Sequence, residues 1–552
     1  MTVAGYPGIY TAHVDRFARD NLPPPEQWPL FVFNRPEVRY PERLNCASVL
    51  LDAAVAEGCG GHTAIHSDSG SWSYAELLEH ANRIANVLVT DLGVVAGNRV
   101  LLRGFNSPML VACWLAVVKA GAIAVATMPL LRAKELAQIA QKARIDHALC
   151  DARLIDEVLT TKHQTDWLSR TMTWGNGALE SAMRRSSPQF MNVATSRDDV
   201  CLLAFTSGTT GEPKATVHFH RDVLVMADIV ARHLLQTAPD DVYAGTPPLG
   251  FTFGLGALLA FPLRFRAATV MIEQPSVDAV LAAVERYRVT SLFTAPTMYR
   301  SLMRSAGQHH LSALRLSVSA GEPLPKATSD AWNDATGIRI IDGLGATEMI
   351  HIFISARGAD IRPGATGKPL PGYEAVTLGD DARPLPAGQP GRLAVRGPTG
   401  CRYLADKRQR EYVINGWNVT GDTYVVDDDG YFWFQARADD MIVSAGYNIA
   451  GPEVEAALMA HKAVREVAVI GVPDELRGQI VKAFVVLEPG APGTPELAHE
   501  LQEFVKTTIA AYKYPRAIEF IANLPKTATG KTQRFLLKQQ SAVAQPRKEQ
   551  SP

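Results

Sequence analysis

Apolar positions recur three and four residues apart in WSYAELLEHANRIANVLV, residues 72–89, which predicts an amphipathic helix with one face on a core. The most apolar stretch, MLVACWLAVVKAGAIAVATMPLL at residues 109–131, is interrupted by Lys119 and Gly121. It reads as a buried helix ending near Gly121 followed by a buried strand, and not as a membrane span. GNRVLLRG, AIAVATMP, HALCD, DDVCLLAFTS, AATVMIE and VTSLFTAP are short β-rich runs set between helical patterns. Such alternation predicts an α/β architecture with largely parallel sheets.

The texture changes after Gly364. GRLAVRGPT and WNVTGDTYVVDDDGYFWFQARADD are strand-rich, with Asp429-Gly430 as a hairpin turn, and predict a small β subdomain. A second shift comes at residues 437–440. GPEVEAALMAHKAV then reads as a helix with Pro452 in its first turn, VREVAVIGV and KAFVVLEPG as strands, and PELAHELQEFVKTTIA as a helix. The division expected is a large domain over residues 1–437 and a small mobile α+β domain over 438–552. Proline-rich NLPPPEQWP and NRPEVRYPERLN predict an extended N-terminal arm laid over the surface, and SAVAQPRKEQSP a frayed tail. No internal repeat is evident.

Composition narrows the function classes. The 552 residues exceed one ordinary core, and a net charge of −1 favours neither nucleic acid nor an anionic membrane as partner. Six cysteines stand far apart without a CxxC pair, which argues against a zinc site or redox dithiol and fits a reducing cytoplasm. The N-terminus lacks the basic start and apolar core of a secretory signal.

The chemistry concentrates in AFTSGTTGEPKATVH, residues 204–218. This loop follows an apolar strand run, where bare backbone N–H groups can close on a phosphate. Gly208 and Gly211 permit close approach, Thr206, Ser207, Thr209 and Thr210 offer hydroxyls, and Lys214 offers a cation. The implied ligand is a polyphosphate. A Walker loop is excluded, because Glu212 and Pro213 follow Gly211 and Ala215 follows the lysine. By itself the segment is either such a site or a polar surface loop.

Four further stretches accompany it in order: DGLGATE (342–348), TGD (420–422), ARADDMIVSAGYNIAGPEVE (436–455) and LPKTATGK (524–531). Together with the loop they resemble the superfamily of acyl-CoA synthetases, peptide-synthetase adenylation domains and firefly luciferases. Two positions depart from the family pattern: Ala215 replaces the glycine after the loop lysine, and Ala436 replaces the glycine before Arg437.

The resemblance implies a reaction in two halves. A carboxylate is joined to AMP from ATP with loss of pyrophosphate, and the thiol of coenzyme A then displaces AMP. It further implies roles. Residues 206–214 hold the β- and γ-phosphates, Thr347 contacts the α-phosphate, and Glu348 holds Mg2+, a hard ion that prefers oxygen. Asp422 and Arg437 bind the ribose, while Gly321 and Glu322 in SAGEPL, with Asp342, Gly343 and Gly345, enclose the adenine and leave room for a flat ring. Lys531 is the catalytic lysine that reaches the carboxylate and α-phosphate. Asp439 is the hinge about which the small domain turns, and Ser444, Gly446 and Tyr447 line the coenzyme A path. Lys513 and Arg516 in YKYPR are either cations for coenzyme A phosphates or surface charges.

The acid pocket is expected around Phe251, Phe253 and His351. His351 is either a structural histidine or one that hydrogen-bonds a ring substituent or carboxylate of an aromatic acid. DGLGATEMIHIFIS, SAGYNIAGPEVE and the N-terminal arm resemble benzoate-type CoA ligases, and 2-aminobenzoate-CoA ligases most. The expectation is an ATP-dependent aryl-CoA ligase. The alternatives are ligases for benzoate or other substituted benzoates, an enzyme that loads a carrier-protein thiol, and a non-catalytic nucleotide-binding scaffold.

Overall fold

The computed structural model describes residues 10–206, 212–437, 440, 442–444, 447–474, 477–509, 511–526 and 532–543. The side chains of Arg437, Val443, Tyr447, Asn448, Ala542 and Val543 lie outside that description. The expected amphipathic helix is Tyr74–Thr90. It is opened by a reciprocal cap in which Ser73 Oγ accepts from Glu76 N and Ser73 N donates to the Glu76 carboxylate. The long apolar run divides as expected into helix Pro108–Lys119 and strand Ile123–Thr127. Gly121, at φ +69°, turns the chain out of the helix, and Ala122 N closes back on Val117 O at 3.0 Å. Lys119 is fully buried, and its ammonium lies 2.6 Å from both Asp52 oxygens, which compensates the charge inside the core. A helix apolar on every side must have protein on every side. This one is covered by two sheets and Tyr74–Thr90. No described helix is long and apolar enough to cross a membrane.

The first sheet has six strands in the order Arg170–Trp174, His147–Asp151, Arg99–Arg103, Ile123–Thr127, Val200–Thr206, Lys214–Phe219. All its pairs are parallel except the last, where Thr206 faces Lys214 in antiparallel register. The second sheet has nine strands, parallel through its middle and antiparallel at both edges. Its central strands Val242–Gly245, Ser291–Thr294, Leu316–Ala320 and Ile340–Gly345 end on the side that carries the candidate residues. The large core fills the space between the two sheets.

A five-stranded antiparallel sheet follows, built on Trp417–Val426 with Gly391–Arg396 and Phe432–Arg437 beside it. Gly430, at φ +80°, makes the expected hairpin turn. The chain then enters a separate sheet whose long pair is Val464–Asp474 and Gly478–Leu487. Helices Gly451–Met459 and Pro495–Thr508 cover one face of that sheet and Arg534–Val543 the other. The α/β class with a separate C-terminal domain is therefore as expected.

Two expectations change. The N-terminal arm is extended, but it is stapled in place: Leu30 N donates to Gly416 O and Val32 N to Gly397 O, and Trp28 and Phe31 are buried. Their rings pack on Arg402 and Phe219, so the arm is part of the core's wall. The tail begins later than expected, because residues 541–543 belong to the last helix and Ser541 is buried with its hydroxyl 3.3 Å from Lys482 Nζ.

Candidate functional site

Thr206 ends the strand Val200–Thr206, and Lys214 begins the strand that returns beside it. Ser207, Gly208, Thr209, Thr210 and Gly211 between them lie outside the described residues. The returning strand is walled by segment 402–404. Val217 N donates to Arg402 O at 2.8 Å and Leu404 N to Ala215 O at 2.9 Å. This places the Tyr403 ring 5.1 Å from Lys214 Nζ.

Thr347 and Glu348 open a single 3-10 turn after the strand Ile340–Gly345. Glu348 Oε1 accepts the Tyr403 hydroxyl at 2.5 Å. One aromatic side chain thus links the candidate metal carboxylate to the candidate phosphate lysine. Burial and the neighbouring Glu348 drive the Tyr403 phenol far above its ordinary range. His218 lies against the Thr347 backbone, and burial lowers its imidazole to about 3, so it is neutral.

Asp342 and Gly343 face Ser319 and Ala320 in parallel register, and Gly321 follows at φ +90° with Glu322 next. Desolvation pushes the Asp342 carboxyl up to about 7, against a counter-pull from the Gly343 N–H. A small cavity opens beside it, lined by Leu324, Ile340, Ala356, Ile361 and Thr366. The smallness of Gly343 and Gly345 has an added cause in packing. A Cβ would fall 2.3 Å from Ile352 Cδ1 at Gly343 and 2.9 Å from the His351 carbonyl at Gly345.

Asp422 sits on Trp417–Val426 directly opposite Arg437 in the ladder. Burial raises the Tyr424 phenol, and Asp422 and Asp342 push it the same way, so the two carboxylates share one neighbourhood. The Arg437 side chain, Asp439, Gly446 and Lys531 lie outside the described residues, as does the Tyr447 side chain. Ser444 is buried at the end of its strand, opposite Tyr447. Lys513 is held by both Glu453 oxygens at 2.6 and 2.7 Å, and Arg516 bonds the Tyr514 hydroxyl.

In the expected acid pocket, Phe251 opens the turn that carries Phe253. The Phe253 and His351 ring centroids are 5.6 Å apart, and Phe261 meets His351 edge-on at 4.7 Å. His351 Nε2 donates to Phe253 O at 3.4 Å, which fixes the tautomer, while buried Nδ1 has no partner among the described residues. Burial lowers this imidazole to about 3, so Nδ1 is a neutral acceptor. Gly256 permits the contact, since a Cβ there would lie 2.5 Å from the His351 ring.

Sequence reasoning missed Tyr403 and Arg402, which lie in a segment without a chemical pattern of its own, and gave no role to His218 at the end of the 204–218 stretch. It also treated all six cysteines as scattered, whereas Cys46 and Cys201 meet beside His220 in the core. There His220 Nδ1 already accepts the Cys46 N–H at 3.1 Å, so that lone pair is engaged within the protein.

Comparison with known proteins supplies the context for this geometry. Residues 51–403 match the AMP-binding enzyme family, and residues 453–531 match the AMP-binding enzyme C-terminal domain. The benzoate–CoA ligase of Thauera aromatica is 36% identical over 516 residues, covering 91% of this chain and 97% of that one. A crystal structure of an anthranilate–CoA ligase in complex with anthranoyl-AMP superposes with a TM-score of 0.88 at 35% identity, covering 92% of this chain and 99% of that one. A benzoate–CoA ligase structure from Burkholderia xenovorans LB400 gives 0.83 at 33% identity, with coverage of 90% and 100%.

Proposed function

The chain belongs to the AMP-binding enzyme family as an AMP-forming acid–CoA ligase, and from that premise we propose that it activates an aromatic acid, 2-aminobenzoate, for transfer to coenzyme A. In the first half-reaction a carboxylate oxygen attacks the α-phosphorus of ATP and pyrophosphate leaves. In the second the coenzyme A thiol attacks the acyl carbon and AMP leaves. The working division is residues 1–437 for acid and nucleotide and 438–552 for the mobile domain.

The chain's own groups serve the first step by neutralising and aligning two anions. Lys214 and residues 206–211 hold the β- and γ-phosphates, and Thr347 the α-phosphate. Asp422 and Arg437 hold the ribose. Gly321, Glu322, Asp342, Gly343 and Gly345 enclose the adenine. Half-buried Glu348 offers one hard oxygen donor, which fits a Mg2+ ion that takes most of its shell from phosphates and water. When bound, that ion withdraws charge from the phosphate oxygens. Lys531 supports the transition state. Turning about Asp439 withdraws Lys531 and brings Ser444, Gly446 and Tyr447 to the thiol's path.

The observation that carries the substrate is His351. Its neutral Nδ1 is a buried acceptor beside Phe253, and the amino group of 2-aminobenzoate is a donor that benzoate lacks. Leaving a buried acceptor unpaired costs about 1–3 kcal/mol, which predicts about a tenfold preference in kcat/KM for 2-aminobenzoate over benzoate. Likeness to an anthranilate–CoA ligase supports this reading. Benzoate is the second reading, favoured by the likeness to the Thauera aromatica ligase.

The test is incubation with ATP, Mg2+ and a panel of acids, with and without coenzyme A, measuring AMP and acyl-CoA. The panel holds 2-aminobenzoate, benzoate, 4-hydroxybenzoate, acetate and a medium-chain fatty acid. The expected result is AMP and aryl-CoA with 2-aminobenzoate preferred. Turnover of aliphatic acids alone would discard the pocket reading, and equal use of benzoate would discard the role of His351 Nδ1.

A further inference from the structure

Glu348 and Lys214 come from different sheets, yet both end on the same phenol. Tyr403 donates its hydroxyl to Glu348 Oε1 at 2.5 Å, and its ring carries Lys214 Nζ at 5.1 Å from the centroid. A phenol facing a carboxylate can only donate, so this bond selects one Glu348 oxygen and leaves the other for an outside ligand. Tyr403 is itself rigid. Its neighbours Arg402 and Leu404 are zipped onto the strand Lys214–Phe219, its own N–H donates to Gln409 Oε1 at 2.8 Å, and Tyr412 packs edge-on to its ring at 5.8 Å. The side chain is wholly buried. A fixed hydrogen-bond partner behind a ligating carboxylate orients that ligand and raises its affinity for a metal.

We infer that Tyr403 is a positioning residue for the metal–phosphate centre, setting the Glu348 carboxylate with its hydroxyl while its ring seats Lys214. The inference rests on the reading of Glu348 as the Mg2+ ligand and of Lys214 as the phosphate lysine. It assigns Tyr403 no contact with the reacting atoms.

Tyr403→Phe keeps the ring under Lys214 and removes only the hydroxyl. Nucleotide binding to the full chain, followed by calorimetry with an α,β-methylene ATP analogue, is measured as a function of Mg2+ concentration. The Mg2+ needed for half-maximal binding rises about tenfold in Tyr403→Phe. Saturating Mg2+ restores most of the kcat for acyl-AMP formation, and the thermal midpoint stays near that of the wild type. Tyr412→Phe removes a neighbouring hydroxyl without touching Glu348 and leaves the Mg2+ dependence unchanged. An unchanged Mg2+ requirement in Tyr403→Phe, an equal shift in Tyr412→Phe, or a defect that Mg2+ does not overcome would each overturn the inference. Wild-type protein that binds the analogue with Mg2+ but activates no acid would remove the proposed function and leave this inference to stand on the binding data.

Discussion

The strands Lys214–Phe219 and Val464–Asp474 each close one end of their sheets, but different forces hold them. Around the first, charges are buried. Asp222 and Arg402, both with fully buried side chains, form an ion pair, and Asp222 also accepts the Phe219 N–H at 2.9 Å. Arg221 sits 2.9 Å from Asp198 nearby, and the Arg402 guanidinium lies over Phe219 at 4.1 Å. Around the second the core is aliphatic, with Val469, Val481, Leu458 and Leu501 on one face. Arg534–Glu455 reaches the strand itself, where Glu455 accepts the Val469 N–H at 2.8 Å, but its side chains are 25% and 15% exposed, and the pairs Lys513–Glu453 and Lys482–Glu519 lie at the rim. Buried ion pairs fix geometry at a cost in desolvation, whereas rim pairs can be exchanged for water or another surface. The difference suits the proposed division into a rigid platform for the nucleotide and a smaller unit that is reseated between half-reactions.

The largest expected effect comes from breaking the platform. Asp222→Ala leaves Arg402 buried without its carboxylate, which costs about 3–5 kcal/mol. Glu453→Ala, at the rim of the small sheet, costs about 0–1 kcal/mol. Urea unfolding of both variants checks the pair, and similar losses would break the contrast.

Acid should separate the same regions. Burial lowers His13 to about 4, and His218 and His351 to about 3, from an ordinary 6.5; all three lie in the large region. Between those values and 6.5 the unfolded chain binds protons that the folded protein refuses, so stability falls as pH drops through that window. The slope is at most about 1.4 kcal/mol per pH unit for each histidine. Asp342 works the other way: its carboxyl, raised from 3.8 to about 7, loses stability as pH climbs between those values. Three groups outweigh one. All eight tryptophans precede residue 437, so their emission reports the large region alone, while far-ultraviolet circular dichroism reports both. Below pH 6 the emission midpoint should move to lower urea ahead of the dichroism midpoint. Coincident midpoints at every pH would show that the regions unfold together.

What the sequence made legible follows the same division. Lys119 and Gly121 mark where the apolar run stops being a helix, because a charge needs a partner and a left-handed residue ends the hydrogen-bond ladder. The phosphate-loop residues, Glu348 and Asp422 stand out because their chemistry is carried in short contiguous stretches, although Asp422 lies mid-strand. The Tyr403 junction was illegible, because Lys214, Glu348 and Tyr403 meet only through the closure of two sheets and a crossing segment. The prolines of the arm predicted an extended path correctly, but Trp28 and Phe31 within it needed the Arg402 and Phe219 surfaces before their burial made sense. His351 was left open between two roles, since only the fold shows that one ring nitrogen is spent on Phe253 O and the other is not.

The smallest effect concerns how the two regions touch. Arg304 and Glu488 pair across them at 3.3 Å with side chains 63% and 37% exposed, and Arg300 donates to Arg465 O at 3.2 Å. At such exposure the Arg304 pair competes with water and dissolved ions, so its worth is about 0–1 kcal/mol and falls as salt screens it. Arg304→Ala should therefore shift the unfolding midpoint only slightly at low salt and not measurably at high salt. A salt-independent loss above about 2 kcal/mol would mean that the contact behaves as a buried one. The small unit would then be anchored as firmly as the strand Lys214–Phe219, and reseating it between half-reactions would require breaking core.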